Sequence, residues 1–203
     1  MHPEDQKVFQ RIEHHFASDC LPGPYRGRLR TASVVLLFLS PGLDEDDPAH
    51  CATEQGRRYY ANLRTGKCDL PTKEEHPSAF KWLNRIIRQF DIDYEQARSS
   101  VATLNIGAYK SKAFHDWAML AALPSSRVCL DWAQDVLFPE AEAGDRVVVC
   151  LRSAKYWGLK TGESFGSLFC PEFVRSATMQ HRDMRKRIVN AVKEAVLRDK
   201  KSK

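Results

Sequence analysis

Four acidic residues stand directly after one strongly apolar segment, and they are the first side chains in this sequence suited to chemistry. Ser33–Leu39 is an almost unbroken apolar run, Ser40-Pro41-Gly42 ends it, and Asp44-Glu45-Asp46-Asp47 follows. The run predicts a strand buried on both faces of a sheet. Because ligands of open α/β sheets bind beyond the carboxyl ends of the strands, the carboxylates are predicted at a ligand-binding edge. A solvated acidic loop is the alternative interpretation.

Cationic and hydroxyl side chains follow two further predicted strands, Val101–Ile106 and Arg146–Leu151. In a parallel sheet these strands end at the same edge as the first one. The candidate phosphate- or DNA-binding residues that follow them are Lys110, Ser111, Lys112, Arg152, Ser153 and Lys155. Such side chains hold phosphates in nucleic-acid complexes, although each of them also suits a solvated surface.

Asn105, near the end of the second strand, is the leading candidate for reading a base. A side-chain amide carries a donor and an acceptor, so it can make two hydrogen bonds to the edge of a pyrimidine. Tyr59 and Tyr60 are candidates for stacking on that base. The alternatives are an asparagine that bonds nearby backbone and tyrosines that pack against the core.

Apolar residues with helical spacing alternate with these strands along the chain. Helices are predicted over Glu4–Phe16, Gln55–Leu63, Ser78–Phe90, Lys112–Leu120, Ser126–Leu137 and Gln180–Leu197, and a weak strand over Ser167–Cys170. Alternation of this kind predicts a parallel sheet that is covered by helices. The predicted fold class is α/β: a single-domain, three-layer α/β/α sandwich with a central, mainly parallel sheet.

The 203 residues are predicted to form one domain, with an N-terminal helix and crossing loop over 1–32 and a basic tail over 198–203. The formal net charge of +5 permits a polyanionic partner without requiring one. No segment reaches the ~18 apolar residues of a membrane span, and the polar N-terminus lacks a signal-peptide core. We expect a cytoplasmic protein with no membrane partner, and the sequence leaves its oligomeric state open.

Metal and cofactor sites have little support in the sequence. The seven histidines are scattered along the chain, and the six cysteines include no Cys-x-x-Cys pair. We therefore predict no metal and no cofactor.

The order of these features resembles the uracil-DNA glycosylase superfamily. There, a first strand ends in a Pro-Gly motif, matched here by Leu39–Gly42, and a nearby polar or acidic residue positions the attacking water. A second strand ends in an asparagine that reads the base, matched by Asn105. The similarity extends in order and spacing from about Ser33 to Pro171, and it includes Arg-Ser-x-x-x-Trp-Gly after the third strand.

One motif of the superfamily has no match. Members usually carry a His-Pro-Ser-like motif late in the chain, whose histidine stabilises the leaving base and whose following loop wedges the duplex. The corresponding stretch here, Leu168–Glu172, contains no histidine. His76-Pro77-Ser78 precedes the second strand, and we interpret it as the entry to a helix.

The resemblance implies a DNA glycosylase that hydrolyses the N-glycosidic bond of a uracil-like or damaged base in DNA. Asp44, with Glu45 behind it, is the implied catalytic carboxylate, because a carboxylate stabilises oxocarbenium character on the sugar while it orients water. The base would leave the stack to enter a pocket.

The missing histidine favours a second hypothesis, a catalytically inactive nucleic-acid-binding or protein-interaction module on the same fold. A third hypothesis makes the acidic run a divalent-metal site of a phosphohydrolase.

Overall fold

The structure, a computed structural model, describes residues 3–172, 177–180 and 182–201, and these fold around one six-stranded sheet. The strands are β1 (Tyr25–Arg26), β2 (Val34–Phe38), β3 (Val101–Asn105), β4 (Val147–Cys150), β5 (Ser164–Phe165) and β6 (Leu168–Phe169). The α-helices are α1 (Pro3–Phe9), α2 (Asp47–Ala52), α3 (Glu54–Leu63), α4 (Pro77–Ile87), α5 (Tyr94–Ala97), α6 (Trp117–Ala122), α7 (Pro124–Trp132), α8 (Phe138–Ala143) and α9 (Arg182–Lys201).

The strand order is β1-β3-β2-β4-β6-β5. β2 pairs in parallel with β3 on one side and with β4 on the other, and β6 pairs in parallel with β4. The short edge strands β1 and β5 run antiparallel to their neighbours. The chain therefore passes from β2 to β3 and then returns across β2 to reach β4. Loops that diverge in this way leave room for a ligand at the carboxyl ends of the parallel strands.

The sheet is buried on both faces, because successive side chains of a strand point to opposite sides. On one face, Val34, Leu36 and Phe38 of β2 pack with α4, α5 and α9. On the other face, Val35 and Leu37 pack with α6, α7 and α8. Every residue of β2, β3 and β4 is buried, as expected for strands that helices cover on both sides. The predicted α/β class with a mainly parallel central sheet is confirmed.

Three predicted helix bounds in the N-terminal and middle parts of the chain are wrong. The helix predicted over 112–120 begins at Trp117 and ends at Ala122. α1 ends at Phe9 rather than Phe16, and Phe16 instead packs in a satellite cluster with Tyr109. The helix predicted over 126–137 begins at Pro124, contains a π-helical turn and continues as α8. Within this segment Leu137 is fully buried, whereas Val128, also an apolar residue, is 61% exposed.

The C-terminal helix α9 also differs from the prediction. It continues as far as Lys201, so the basic tail predicted over 198–203 is helical over most of its length, and 202–203 lie outside the described residues. A helix this long buries the stripe that includes Ile188, Val192 and Ala195 against the sheet. Among the described residues, no helix has both the length and the apolar character needed to cross a bilayer.

Candidate functional site

A cavity of about 180 Å³ lies at the carboxyl ends of β2 and β3. It is bounded by the loop after β2, the starts of α2 and α4, and the neighbouring strand β1. The residues that line it are Arg26, Ser40, Pro41, Gly42, Leu43, Asp44, Asp47, Ser78, Ala79, Trp82, Thr103, Asn105 and Lys110. The volume is well below the ~300–1,000 Å³ of sites that enclose drug-sized ligands. It suits a group the size of a single heterocycle.

A buried ion pair between Asp47 and Lys110 forms one wall of the cavity. The two side chains are almost fully buried, and Lys110 Nζ lies 2.6 Å from Asp47 Oδ2. The Asp44 backbone N–H donates to the same oxygen at 2.8 Å, and the Ser78 hydroxyl donates to Oδ1 at 3.0 Å. Burial alone would raise the pKa of Asp47, but Lys110 and these hydrogen bonds together lower it. Asp47 is therefore a fixed carboxylate with its oxygens occupied.

His76 stands behind this ion pair at the start of α4. Its Nδ1 accepts from the backbone N–H of Ala79, and Pro77 occupies the first helical position, where a missing N–H costs nothing. Nε2 lies 3.9 Å from Asp47 Oδ1. Burial, with the charges of Arg26 and Lys110, lowers the pKa of His76 to about 2, so the ring is neutral. The predicted helix entry is confirmed, and His76 is its N-cap.

Arg26 brings a second buried cation to the cavity. It lies on β1, paired with Thr103 of β3, and is only 7% exposed. Within the described residues its Nε has no hydrogen-bond partner and the guanidinium makes no ion pair, although the nearby Tyr59, Tyr60 and Asp47 raise the pKa of Arg26 against the effect of burial. Gly27 positions the strand: its φ of +82° suits glycine, and a Cβ there would lie 2.6 Å from the Val101 carbonyl oxygen.

Asn105 lies in the cavity wall, as predicted from its position at the end of the strand. It is 4% exposed, and its Nδ2 donates to the Pro24 carbonyl at 3.1 Å. The Asn105 backbone N–H donates to the same carbonyl at 2.7 Å. These two bonds fix the side chain, and they also confirm the alternative that it bonds nearby backbone. Its oxygen and second amide hydrogen are left for a ligand.

The predicted catalytic carboxylates sit at different depths. Asp44 lines the cavity mouth, exposed to solvent, and its Oδ1 accepts a long hydrogen bond from the Asp46 backbone N–H. Glu45 is exposed and lies outside the cavity lining. Asp47, grouped with them in sequence, turns inward because α2 begins there. The structure thus brings Asp44, Asp47 and Asn105 together and leaves Glu45 apart.

Tyr59 and Tyr60 do not provide a stacking surface in the cavity. Both lie on α3 and are buried, with ring centroids 5.3 Å apart in an edge-to-face pair. Tyr59 also packs at 5.3 Å against the His76 ring, and the Tyr60 hydroxyl lies 3.5 Å from His76 Nε2. The stacking role predicted for them is wrong, and the core-packing alternative is correct. The aromatic ring that lines the cavity is Trp82.

The predicted phosphate-binding residues divide into buried and exposed groups. Lys110 is occupied by Asp47, and Ser111 is buried, with its backbone tied to Pro41 and Leu43 in the loop after β2. Neither is available to a phosphate, so that role is wrong for both. Three cations, Lys112, Arg152 and Lys155, are exposed, and the half-buried Ser153 turns the chain after β4 with a φ of +64°.

An exposed aromatic pair lies between the loops that follow β3 and β4. Trp117 and Tyr156 are stacked with ring centroids 4.6 Å apart and an interplanar angle of 21°, and they are 43% and 37% exposed. Lys155 Nζ lies 4.7 Å from the centre of the Tyr156 ring. Aromatic faces beside cations are typical of surfaces that bind single-stranded nucleic acid.

The described part of the chain contains neither a metal-binding cluster nor a serine-nucleophile elbow. No group of three or more His, Cys, Asp or Glu side chains there has a geometry that could hold a metal ion. Gly162–Gly166 reads Gly-x-Ser-x-Gly, but its Ser164 lies in the edge strand β5 and accepts from Arg187. A nucleophile elbow instead requires a turn from a strand into a helix.

The sequence did not predict that Arg26 lines the cavity, that His76 and Ser78 face its buried ion pair, or that Asp47 pairs with Lys110. Two signals were available: the His-Pro-Ser triplet before a helix, and a cation followed by glycine in a Pro/Gly-rich crossing. Neither signal specifies what the side chains face. Comparisons with protein-family models, with curated proteins and with solved structures found no match to this chain.

Proposed function

We propose that this protein is a DNA glycosylase with a uracil-DNA glycosylase-like fold, which hydrolyses the N-glycosidic bond of a uracil-like or damaged base. The observation that carries the proposal is the cavity of about 180 Å³, which has Asn105 in its wall and Asp44 at its mouth. A base that is rotated out of the stack into such a cavity meets a fixed amide inside and leaves its sugar near a carboxylate outside.

Asn105 would recognise the base edge. Because Pro24 fixes one amide hydrogen, the amide oxygen faces a ligand as an acceptor, beside the second amide hydrogen as a donor. This pattern complements a ring N–H next to a carbonyl, as found in uracil and related lactams. Trp82 would bound the base on the side of α4. A site that hydrogen-bonds such an edge discriminates strongly against bases that lack it.

Asp44 would act on the sugar. Its exposed carboxylate can orient a water molecule towards C1′ and stabilise the positive charge that develops on the sugar. The glycosidic bond breaks with its electron pair on the base nitrogen, the water oxygen bonds to C1′, and Asp44 takes the proton that the water loses. Asp47 is a weaker candidate because Lys110, Ser78 and the Asp44 backbone already occupy its oxygens.

The surface at the same sheet edge supports a DNA partner. The stacked Trp117–Tyr156 pair offers an aromatic face, and Lys112, Arg152 and Lys155 add exposed positive charge near the strand ends. Unpaired bases stack on such faces, and cations of this kind neutralise phosphates.

The test is base release from single- and double-stranded oligonucleotides that carry uracil or a panel of damaged bases, with EDTA throughout. We expect release by the wild type, a loss of about 100-fold or more in Asp44→Asn, and a comparable loss in Asn105→Ala. Asp46→Asn is the matched control: Asp46 is exposed beside Asp44 but lies outside the cavity lining, so its rate should stay within about twofold.

The second candidate is a nucleic-acid-binding module without catalysis. The observation that favours it is that the buried carboxylate of the cavity lining, Asp47, is paired with Lys110, while Leu168–Glu172 contains no histidine. Under this candidate no oligonucleotide releases a base, although DNA binding remains and weakens steeply with salt. Release that EDTA abolishes would point instead to the metal-dependent hydrolase.

A further inference from the structure

The interior of the cavity carries an excess of positive charge. Two buried cations, Arg26 and Lys110, face one buried carboxylate, Asp47, and His76 is neutral. Lys110 is matched to Asp47 at 2.6 Å, and no carboxylate of the described residues lies within ion-pair distance of Arg26, whose charge is stabilised instead by the neighbouring Tyr59, Tyr60 and the more distant Asp47. Asp44 also lines the cavity, but its carboxylate is exposed at the mouth, where water and salt screen it.

A buried guanidinium without an ion pair of its own is still costly for folding. Arginine stays protonated in proteins, so it cannot relieve the cost by losing its proton. Buried charges are normally paired or hydrogen-bonded, yet Arg26 Nε is buried without a partner in the cavity wall. An apolar side chain would fill the same space with less penalty. The retained charge therefore indicates a ligand group that is absent when the cavity is empty.

We propose that the cavity takes a planar heterocycle that bears a negative charge, most simply a carboxylate, and that Arg26 is the counter-charge that selects it. The guanidinium matches a carboxylate in shape and charge, while the cavity is too small for a ligand with both a ring and a sugar phosphate inside. Asn105 and Trp82 would hold the ring. The binding site is independent of catalysis, but the extension to a carboxylated pyrimidine as the released base rests on the proposed function.

Direct binding tests the charge preference. The probes are free uracil and its two ring-carboxylated isomers, 5-carboxyuracil and 6-carboxyuracil, titrated by calorimetry into the full chain. At least one carboxylated isomer should bind about 10- to 100-fold more tightly than uracil, because a hydrogen bond to a charged group is worth this factor. Equal or tighter binding of uracil, no binding of any probe, or equal binding of inorganic phosphate would overturn the proposal.

Variants connect the preference to Arg26. Arg26→Met should abolish it, and Arg26→Lys should keep part of it. Arg28→Gln is the matched control, because Arg28 is two residues away, 39% exposed and paired with Asp69 outside the cavity. Arg26→Met should also melt at the same temperature as the wild type or higher in the absence of ligand. A preference that survives in Arg26→Met, or that is lost in Arg26→Lys without any loss of folding, contradicts the assignment.

Base release from oligonucleotides with uracil or 5-carboxyuracil separates this proposal from the proposed function. If the carboxylated probe binds through Arg26 but neither oligonucleotide loses its base, the anion site stands and the glycosylase does not. If uracil is released and the free probes show no preference for charge, the glycosylase stands and the anion site does not.

Discussion

The cavity interior and the exposed residues that follow the parallel strands, here called the rim, are built in opposite ways. Inside, Arg26, Asp47, His76 and Lys110 are each at most 7% exposed; hydrogen bonds or an ion pair fix Asp47, His76 and Lys110, whereas Arg26 makes no ion pair within the described residues. On the rim, Asp44, Lys112 and Lys155 are exposed, so water screens their charges. We therefore expect the interior to determine which ligand is held and how stable the fold is, and the rim to contact a macromolecular partner. Substitutions can test this division.

The largest expected effect is on stability when Asp47 loses its charge. Asp47→Asn leaves Lys110 buried without a counter-ion beside Arg26, and we expect a loss of about 3–5 kcal/mol in the free energy of unfolding. Urea unfolding followed by circular dichroism measures it. The control Asp46→Asn should change the value by less than about 0.5 kcal/mol.

A double variant sharpens this test. Asp47→Leu with Lys110→Met removes both charges at once, so it should recover most of the stability that Asp47→Asn loses. If Asp47→Asn costs no more than Asp46→Asn, the buried pair does not organise the interior.

The next largest effect should come from the glycine that places Arg26. Gly27→Ala combines a left-handed backbone at φ +82° with a contact of 2.6 Å to the Val101 carbonyl oxygen, so we expect a loss of about 2–4 kcal/mol. Gly66→Ala is the matched control, because Gly66 has a φ of +69° but nothing within 4 Å of its Cβ position. It should lose about 1–2 kcal/mol. Equal losses in the two variants would show that β1 can move away from β3 at little cost in stability.

Gly27 also illustrates what the sequence could and could not predict. The runs that became β2, β3 and β4 are apolar along their length, so their hydropathy alone predicts buried parallel strands and a shared edge for the residues that follow. β1 has only two residues in a Pro/Gly-rich crossing, and its pairing with β3 depends on tertiary contact. The sequence therefore could not predict that Arg26 is a site residue, although it is the buried cation to which we assign ligand binding.

The acidic run shows the same limit at the level of single residues. Its four carboxylates look equivalent in sequence, but α2 begins at Asp47 and Lys110, far along the chain, pairs with it. Asn105 was predictable because it ends a strand whose direction is known. Tyr59 and Tyr60 were not, because a helix offers several faces and the buried one depends on where His76 packs.

An intermediate effect should appear in the pH dependence of stability. The pKa of His76 is lowered to about 2 in the folded protein, against about 6.5 when unfolded. Below about pH 6.5 the unfolded chain binds a proton that the folded chain does not, so the contribution of His76 is fully present above that pH and lost as the pH falls. The slope is about 1.4 kcal/mol per pH unit, or about 2–3 kcal/mol by pH 4.5.

His76→Asn isolates this contribution, because asparagine keeps the N-cap function without titrating. Urea unfolding at pH 7.0 and pH 4.5 should show a smaller loss in the variant than in the wild type, by about 2–3 kcal/mol. An identical loss in the two proteins would mean that His76 is protonated in the folded state.

The smallest expected effect belongs to the rim. Lys155 is exposed beside the Tyr156 ring, so Lys155→Gln should change the free energy of unfolding by less than about 0.5 kcal/mol. If Lys155 contacts a phosphate, the slope of log affinity against log salt should become shallower by about 0.7–0.9. Fluorescence anisotropy of a labelled oligonucleotide between 50 and about 200 mM salt measures that slope.

Lys193→Gln is the control for this measurement, because it removes the same charge from α9, where Lys193 pairs with Asp91 away from the cavity. A change of slope in Lys155→Gln alone would assign DNA contact to the rim. An unchanged free energy of unfolding in that variant would show that the cavity interior is intact. Equal changes in both variants would mean that net charge, rather than the rim, attracts DNA. The division between an interior that selects and a rim that contacts would then hold only for stability.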